Sequence, residues 1–431
     1  MRMNIMCKLA ISVLMAGMLA SPSVNAGERG GKPWVTGYLP AYEQNQDGRI
    51  AFMGEEDWQG LTHVIHFAGR VKEDGSLDET TEGFSPARRA AAISTAHEHG
   101  VPVLFSVAAW VTVYGPVLNK RAKREKLIGQ LLSILKEGYD GIDIDLEPIK
   151  ADGGGNNPSY EAFIDELHAG MKAVNKDNNP NMLATRPLLT IATGIENAED
   201  KDSGTLRKLL ARLQDKLDQI NVMGYDLSTS FEGIVWHDSA LYDGGNKYPD
   251  NTKRSVVSVD RALQQFIGAG VSPAKLGLGI SLEIRVWQGG KAEDVDNGVT
   301  QPLEAWDVKP KNWNEGSTQR DSFANLVDPH GRYAYKPEYY HWDDDAKVSY
   351  LSIDKPGTAD DRFISFNDPR SVAAKVRYAK QQGLGGVMIW NLALECKRPS
   401  ADSRPCVAGD GRVRPIMGEL RKALAGEGGK P

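Results

Sequence analysis

The strongest constraint on this fold is a regular alternation of short apolar runs with longer segments of helical periodicity. Strands that alternate with helices pair in parallel, and eight such units favour a closed (β/α)8 barrel, the TIM-barrel form of the α/β class. An open doubly wound sheet is the alternative, but its first strand usually leads into a glycine-rich phosphate loop, whereas Leu39-Pro40-Ala41-Tyr42 follows here. The eight predicted strands are 34–38, 62–68, 101–107, 139–146, 188–193, 219–224, 276–282 and 386–390.

The segments between these runs carry apolar residues at spacings of three and four. In residues 121–137, Leu127, Leu131 and Ile134 fall on one face behind a charged start, and Gly138 ends the pattern. Similar patterns predict further helices at 86–99, 160–174, 256–267, 369–382 and 414–425.

More than 100 residues separate the seventh predicted strand from the eighth. Residues 286–365 in this interval are rich in Trp, Tyr, Asp and Pro. We expect an inserted α+β lobe at 286–365, between strand 7 and helix 7, which forms one wall of the barrel mouth. A long disordered linker is the alternative, and the aromatic content disfavours it.

The first 26 residues resemble a secretory signal peptide. Arg2 and Lys8 form its basic end, residues 9–19 are apolar, and Val24-Asn25-Ala26 resembles a cleavage site. A membrane anchor is the alternative, but the apolar run is short for a span. We therefore expect a secreted or periplasmic protein that has no membrane contact after the signal is removed. We expect residues 27–431 to form the barrel domain and the protein to be a monomer.

Composition bears on which binding partners we expect, and the cysteine content bears on which disulfides can form. The net charge is −6 and basic residues do not cluster, so nucleic acid is not an expected partner. Of three cysteines, Cys7 lies in the predicted signal, which leaves Cys396 and Cys406. In an exported protein this pair predicts a disulfide, with two free thiols as the alternative.

The most informative stretch is residues 139–147, in which acids alternate with aliphatic residues. Side chains alternate along a strand with a period of two, so Asp143, Asp145 and Glu147 share one face. In a barrel this face points inward and ends at the carboxyl rim, where barrel active sites lie. A solvated edge strand and a Mg²⁺ or Ca²⁺ site are alternatives. No nearby His or oxygen-rich loop completes a metal shell, so we expect no metal or cofactor.

Three acids in one row favour acid/base chemistry. Like charges this close repel, so at least one carboxyl keeps its proton at neutral pH, and Glu147 at the mouth is the candidate general acid. Asp145 projects from the same side of the strand, where it is badly placed to attack the opposite face of a sugar. This geometry favours a nucleophile carried by the substrate, the carbonyl oxygen of a 2-acetamido group, and predicts an N-acetylglucosamine polymer as substrate.

The stretch Asp140-Gly141-Ile142-Asp143-Ile144-Asp145-Leu146-Glu147 resembles the signature of glycoside hydrolase family 18, the chitinases and their relatives. Met223-Gly224-Tyr225-Asp226 is similar to the Met-x-Tyr-Asp motif of that family, and residues 386–390 resemble its closing strand. The resemblance implies a retaining hydrolase that acts through an oxazolinium ion on chitin or another N-acetylglucosamine-containing glycan.

The same resemblance implies roles for individual residues. Tyr225 would orient the acetamido carbonyl, Asp226 would contact the sugar at the cleavage site, and Trp390 would form the floor under it. Asp143 would support and exchange charge with Asp145. The resemblance also implies substrate contacts for Met223, Arg285, Tyr38, Phe67, Trp110 and Trp287, and core packing is the alternative for the aromatic residues among them.

One departure concerns strand three, where the family usually has Ser-x-Gly-Gly and this chain has Ser106-Val107-Ala108-Ala109. The two added methyl groups bear on the width of the cleft and the support of Asp143. Alternative functions are an endo-β-N-acetylglucosaminidase, a peptidoglycan-directed glycosidase, a non-catalytic chitin-binding lectin and a metal-dependent phosphoesterase. The lectins of this family typically lose the glutamate, whereas this chain keeps Glu147.

Overall fold

The computed structural model describes residues 33–195, 204–229, 232–249, 253–289, 298–306, 319–328, 331–333, 335–357, 360–395 and 414–425. The predicted signal peptide, Cys396 and Cys406 lie outside these residues, so export and the disulfide stay predictions. Within the described ranges, every helix is too short or too polar to span a bilayer.

Eight strands close into a parallel barrel, which confirms the predicted fold class. They pair in the order β1-β2-β4-β5-β6-β7-β8-β14, and β14 pairs with β1 to complete the ring. In chain order the strands of the described residues are β1 Trp34–Pro40, β2 His63–Val71, β3 Leu77–Asp78, β4 Val103–Trp110, β5 Gly141–Glu147, β6 Leu188–Thr193, β7 Gln219–Val222, β8 Leu276–Ser281, β9 Glu283–Gln288, β10 Gln319–Ser322, β11 Tyr340–Asp343, β12 Val348–Ile353, β13 Arg362–Phe366 and β14 Gly386–Trp390.

The six predicted helices begin and end close to the predicted positions, and the structure adds four that the sequence analysis does not predict, at 55–58, 111–118, 205–213 and 323–327. Local capping explains the small differences: Asn157 accepts a hydrogen bond from the backbone of Tyr160 at 3.0 Å, so the helix predicted at 160 begins at Pro158. In chain order the described helices are α1 Glu55–Trp58, α2 Pro86–Glu98, α3 Val111–Leu118, α4 Arg121–Leu135, α5 Pro158–Met171, α6 Thr205–Leu213, α7 Val259–Gly268, α8 Phe323–Val327, α9 Pro369–Gln381 and α10 Pro415–Ala425.

The strands separate two layers of apolar packing. Ile142, Ile144 and Leu146 of β5 face outward and join the large core between barrel and helices. A smaller core fills the barrel itself, where Tyr38 and Phe67 are buried members. The acids of β5 alternate with the outward aliphatics, so they face the interior that the smaller core only partly fills.

A five-stranded antiparallel sheet lies between β8 and α9, in the order β10-β9-β13-β12-β11. We call this sheet, with α8, the inserted sheet. Its first strand starts at Glu283, and only Leu282 lies between it and the end of β8 at Ser281. Its described residues contain the five strands and the short helix α8, and the predicted bounds of the α+β lobe, 286–365, stay a prediction.

Candidate active site

Asp143 lies at the centre of the barrel, where three hydroxyl groups donate to its carboxylate. Tyr38 Oη and Ser106 Oγ donate to Oδ2, each at 3.0 Å, and Thr190 Oγ1 donates to Oδ1 at 2.6 Å. Burial raises the pKa of Asp143 to about 6, although all three hydrogen bonds oppose this rise. The carboxylate is therefore held rigidly from β1, β4 and β6.

Asp145 and Glu147 form a coupled pair above Asp143. Burial, followed by the charges of Glu147 and Asp143, raises the pKa of Asp145 well above its ordinary value. Burial also raises the pKa of Glu147, which hydrogen-bonds to Asp145. Oδ1 of Asp145 is buried and accepts no hydrogen bond from the described residues. The pair can therefore hold one proton at neutral pH and has an acceptor available for a ligand.

Three aromatic rings, those of Trp390, Tyr38 and Phe67, pack against one another inside the barrel, and we call them the aromatic floor. The Trp390 ring packs edge-on against Tyr38, with centroids 5.5 Å apart, and against Phe67 at 4.9 Å. Trp390 is only partly buried, so part of its side chain is accessible, whereas Tyr38 and Phe67 are buried. Tyr38 and Phe67 thus support the site through Asp143 and Trp390, and Trp390 offers the surface on which a sugar could stack.

The motif after β7 adds Met223, Tyr225 and Asp226 to the same cavity. Met223 and Tyr225 are partly buried and pack against the interior core beside Trp390. Burial and then the charge of Asp145 raise the pKa of Tyr225 well above 10, so the phenol stays protonated and can donate a hydrogen bond. Asp226 has a left-handed backbone with φ of 57°.

Arg285 of β9 anchors Asp226 from the buried side. Its guanidinium donates to Asp226 and, through Nε, to Asp238 Oδ1 at 3.0 Å. The Arg285 side chain is only 6% exposed. The structure therefore brings Arg285 to the site through Asp226, and its direct contact with substrate stays a prediction.

Trp110 and Trp287, which the sequence treats alike, are placed very differently. Trp110 is 64% exposed and pairs in register with Glu147 at the rim. Trp287 is fully buried in the inserted sheet against Phe363, with ring centroids 5.5 Å apart. A sugar contact needs an open ring face, which Trp287 lacks, so that prediction is wrong for Trp287. The sugar contact of Trp110 stays a prediction.

Two charged residues of the inserted sheet were missed by the sequence analysis. Glu283 Oε1 accepts a hydrogen bond from Trp390 Nε1 at 3.3 Å, and Arg320 Nη2 donates to Asp226 Oδ2 at 2.7 Å. Glu283 lies two residues before Arg285 in the sequence, and this spacing is the signal that could have identified it as a site residue. Nothing local in the sequence marks Arg320, because its position depends on pairing between β9 and β10.

Ala108 and Ala109, on the third predicted strand, lie on β4 of the structure and fit the barrel without displacing the acids. Ala108 is fully buried in the interior core and pairs in register with Asp145, while Ser106 pairs with Asp143 and donates to it. Ala109 points to the outer core. The methyl group of Ala108 therefore occupies space beside Asp145 that a glycine would leave open.

Among the residues that the structure describes, no three His, Cys, Asp or Glu side chains are placed to hold a metal ion. A closed (β/α)8 barrel that carries a hydrogen-bonded pair of acids near the carboxyl ends of its strands belongs to the class of barrel enzymes whose sites suit acid/base chemistry.

Comparison with known proteins identifies the family. The protein-family model described as "Glycosyl hydrolases family 18" matches residues 35–395 of this chain. The chain therefore belongs to glycosyl hydrolase family 18. It is 29% identical over 294 residues to chitinase A1 of Niallia circulans, covering 66% of this chain. It is 25% identical over 369 residues to chitotriosidase-1 of Mus musculus, covering 83% of this chain and 72% of that protein.

Solved structures support the same fold. A family 18 N-acetylglucosaminidase from Paenibacillus barengoltzii superposes with a TM-score of 0.64 at 21% identity, covering 91% of this chain and 99% of that chain. The chitinase TsES1 from Trichuris suis superposes with a TM-score of 0.67 at 20% identity, covering 91% of this chain and 100% of that chain.

The chain spans well under half the length of two of the curated relatives that it matches. The matched region covers only 39% of the Niallia circulans protein and 37% of chitinase A from Pseudoalteromonas piscicida.

Proposed function

We propose that this protein hydrolyses β-1,4 linkages between N-acetylglucosamine units, with chitin as the polymer, by a substrate-assisted retaining mechanism. The observation that carries the proposal is the coupled Asp145–Glu147 pair, in which one buried carboxylate oxygen has no partner among the described residues. The names of the relatives, several of them chitinases, agree with it.

In the first step, the N–H of the substrate acetamido group donates to Asp145. This hydrogen bond favours the ionised form of Asp145 and leaves the proton of the pair on Glu147. Glu147 then protonates the glycosidic oxygen while the acetamido carbonyl oxygen bonds to the anomeric carbon, and the leaving sugar departs with the electron pair of the broken bond. The positive oxazolinium ring that forms lies beside the negative carboxylate of Asp145.

In the second step, Glu147 works in reverse. As a carboxylate it takes a proton from water, and the water oxygen attacks the anomeric carbon and reopens the oxazolinium ring. Tyr225 would donate its hydroxyl to the acetamido oxygen, and Asp143 would hold negative charge below the pair. Two displacements at one carbon return the original anomeric configuration.

The Glu147→Gln substitution tests this proposal. Glutamine keeps the size of the side chain but cannot transfer a proton, so turnover of a fluorogenic chitobioside should fall by about 10²–10⁴-fold. The matched control is Glu125→Gln, an exposed α4 residue paired only with Arg121 in the described contacts, which should leave turnover unchanged. Unaltered turnover in Glu147→Gln would refute the assigned acid.

The stereochemistry of the product tests the oxazolinium route, and two further readouts address the lectin and phosphoesterase alternatives. NMR of freshly cleaved N-acetylglucosamine oligomers should show the β-anomer first, and an initial α-anomer would exclude the oxazolinium route. Tight binding without any release would instead identify a lectin. Hydrolysis of a phosphate ester that stops in a metal chelator would favour the phosphoesterase alternative.

A further inference from the structure

The inserted sheet supplies a second arginine to Asp226, and its placement is unusual. Arg320 of β10 pairs directly with Arg285 of β9 in the antiparallel register. Like charges opposite each other across a strand pair are destabilising unless they are neutralised. Here the carboxylate of Asp226 accepts from both, with Arg285 on Oδ1 and Arg320 on Oδ2.

The two arginines differ in what surrounds them. Arg285 is buried and also held by Asp238, so it serves as the fixed anchor. The Arg320 side chain is 49% exposed and lies within 3.7 Å of Glu283 Oε2 as well as on Asp226. Glu283 in turn accepts from the indole of Trp390. Asp226, Arg320 and Glu283 therefore form a continuous charged border along the aromatic floor.

We propose that Arg320 is a positioning residue for the sugar that stacks on Trp390, because its ion pairs hold the carboxylates of Asp226 and Glu283 where sugar hydroxyls can donate to them. The identity of the sugar rests on the proposed function. Through Arg320 and Glu283, the inserted sheet contributes to the affinity of a site whose proposed catalytic acids, Asp143, Asp145 and Glu147, lie on barrel strand β5.

The charge of Arg320 gives this role a measurable effect on the pKa of Glu147. The side chains that shift this pKa are Asp145 on the same strand, Arg70 on β2, Asp226 after β7 and Arg320 on β10. Asp226 raises the pKa of Glu147, whereas Arg320 and Arg70 lower it. Removing the cation at position 320 should therefore raise the pKa of Glu147. The alkaline limb of kcat/KM should move to higher pH, an effect that a purely structural residue would not produce.

The experiment compares Arg320→Met, Arg320→Lys and the control Arg121→Met, each placed in the Glu147→Gln background and in the active chain. Arg121 is 82% exposed on α4 and lies on a different element from the site. In the Glu147→Gln background, calorimetry with chitotetraose should show a dissociation constant at least about tenfold higher for Arg320→Met, partial recovery for Arg320→Lys and no change for Arg121→Met. In the active chain, Arg320→Met should raise KM more than it lowers kcat.

Equal affinity of Arg320→Met and its parent for chitotetraose would overturn the inference, as would an unshifted pH profile in an active enzyme. Because calorimetry needs no turnover, a chain that binds but does not hydrolyse would refute the proposed function while the role of Arg320 is still decided. Absence of chitotetraose binding in the parent would refute both. Thermal melting of each variant checks that the fold is retained.

Discussion

At the scale of single residues, Asp143 shows how opposing effects are balanced inside the barrel. Removal from water favours the neutral acid, and three donated hydroxyl bonds favour the ionised one. The net result is a pKa of about 6, which is above the ordinary range for aspartate. Asp143 is therefore protonated below pH 6 and ionised above it, and only the ionised form helps the pair above it to keep a proton.

The hydroxyl of Thr190 provides a direct test of this balance. Thr190→Val removes one donor at nearly constant volume, so the pKa of Asp143 should rise by about one unit. The acid limb of kcat/KM should move to higher pH by a similar amount, measured with a fluorogenic substrate across pH 4–8. Thr193→Val on the same strand is the control, because its hydroxyl donates to Gly194 O instead. Equal profiles for the two variants would contradict the assignment.

At the scale of secondary-structure elements, local periodicity decided what could be predicted. The alternation in β5 is imposed by strand geometry, so the inward position of Asp143, Asp145 and Glu147 follows from sequence alone. The burial of Trp287 does not, because it depends on the chain leaving the barrel after Ser281 and pairing with β13. The same long-range pairing places Arg320, and no local pattern records it.

The start of β5 shows a second local constraint. A methyl group on Gly141 would lie 2.2 Å from the carbonyl oxygen of Leu188 on the neighbouring strand β6. Gly141→Ala should therefore lower the free energy of unfolding by about 1–3 kcal/mol, measured by urea denaturation, since two barrel strands must separate. Gly129→Ala in α4 is the matched control. A methyl there meets no atom within 4 Å, and it should stabilise the protein by about 0.5–1 kcal/mol. Equal effects would contradict the close packing of β5 on β6.

At the scale of the whole molecule, a buried ionic cluster joins the two ends of the described chain. Arg414, just before α10, pairs with Asp57 of α1 at 2.8 Å and with Glu395, after β14, at 3.6 Å. Oε1 of Glu395 also accepts the backbone N–H groups of Ile416 and Met417 at the start of α10. Burial raises the pKa of Glu395 to about 7, against the opposing charge of Arg414.

This cluster makes stability depend on pH in a predictable direction. The raised pKa means that the folded chain binds the Glu395 proton more tightly than the unfolded chain. The resulting stabilisation is complete below about pH 4.5 and is lost as pH rises through about 7. Glu395→Gln lacks this loss, so its Tm relative to the native chain should rise by at least about 2 °C between pH 4.5 and 7.5.

Calorimetric scans at several pH values would measure this difference. Glu56→Gln, an exposed neighbour in α1 that lies 3.9 Å from Arg421, is the control and should show a nearly constant offset. A Tm difference for Glu395→Gln that does not change with pH would show that Glu395 titrates alike in the folded and unfolded chains.

The path of the chain from β8 into β9 has a further consequence for how this protein can be altered. Only Leu282 separates the last residue of a barrel strand from the first residue of the inserted sheet. An engineer who exchanges this sheet for that of a relative would therefore cut within a nearly continuous extended segment, and the graft would carry Glu283 and Arg285 with it. Exchanging the inserted sheet would therefore also replace the residues that hold Asp226 and Trp390, so the sheet and these contacts cannot be redesigned independently.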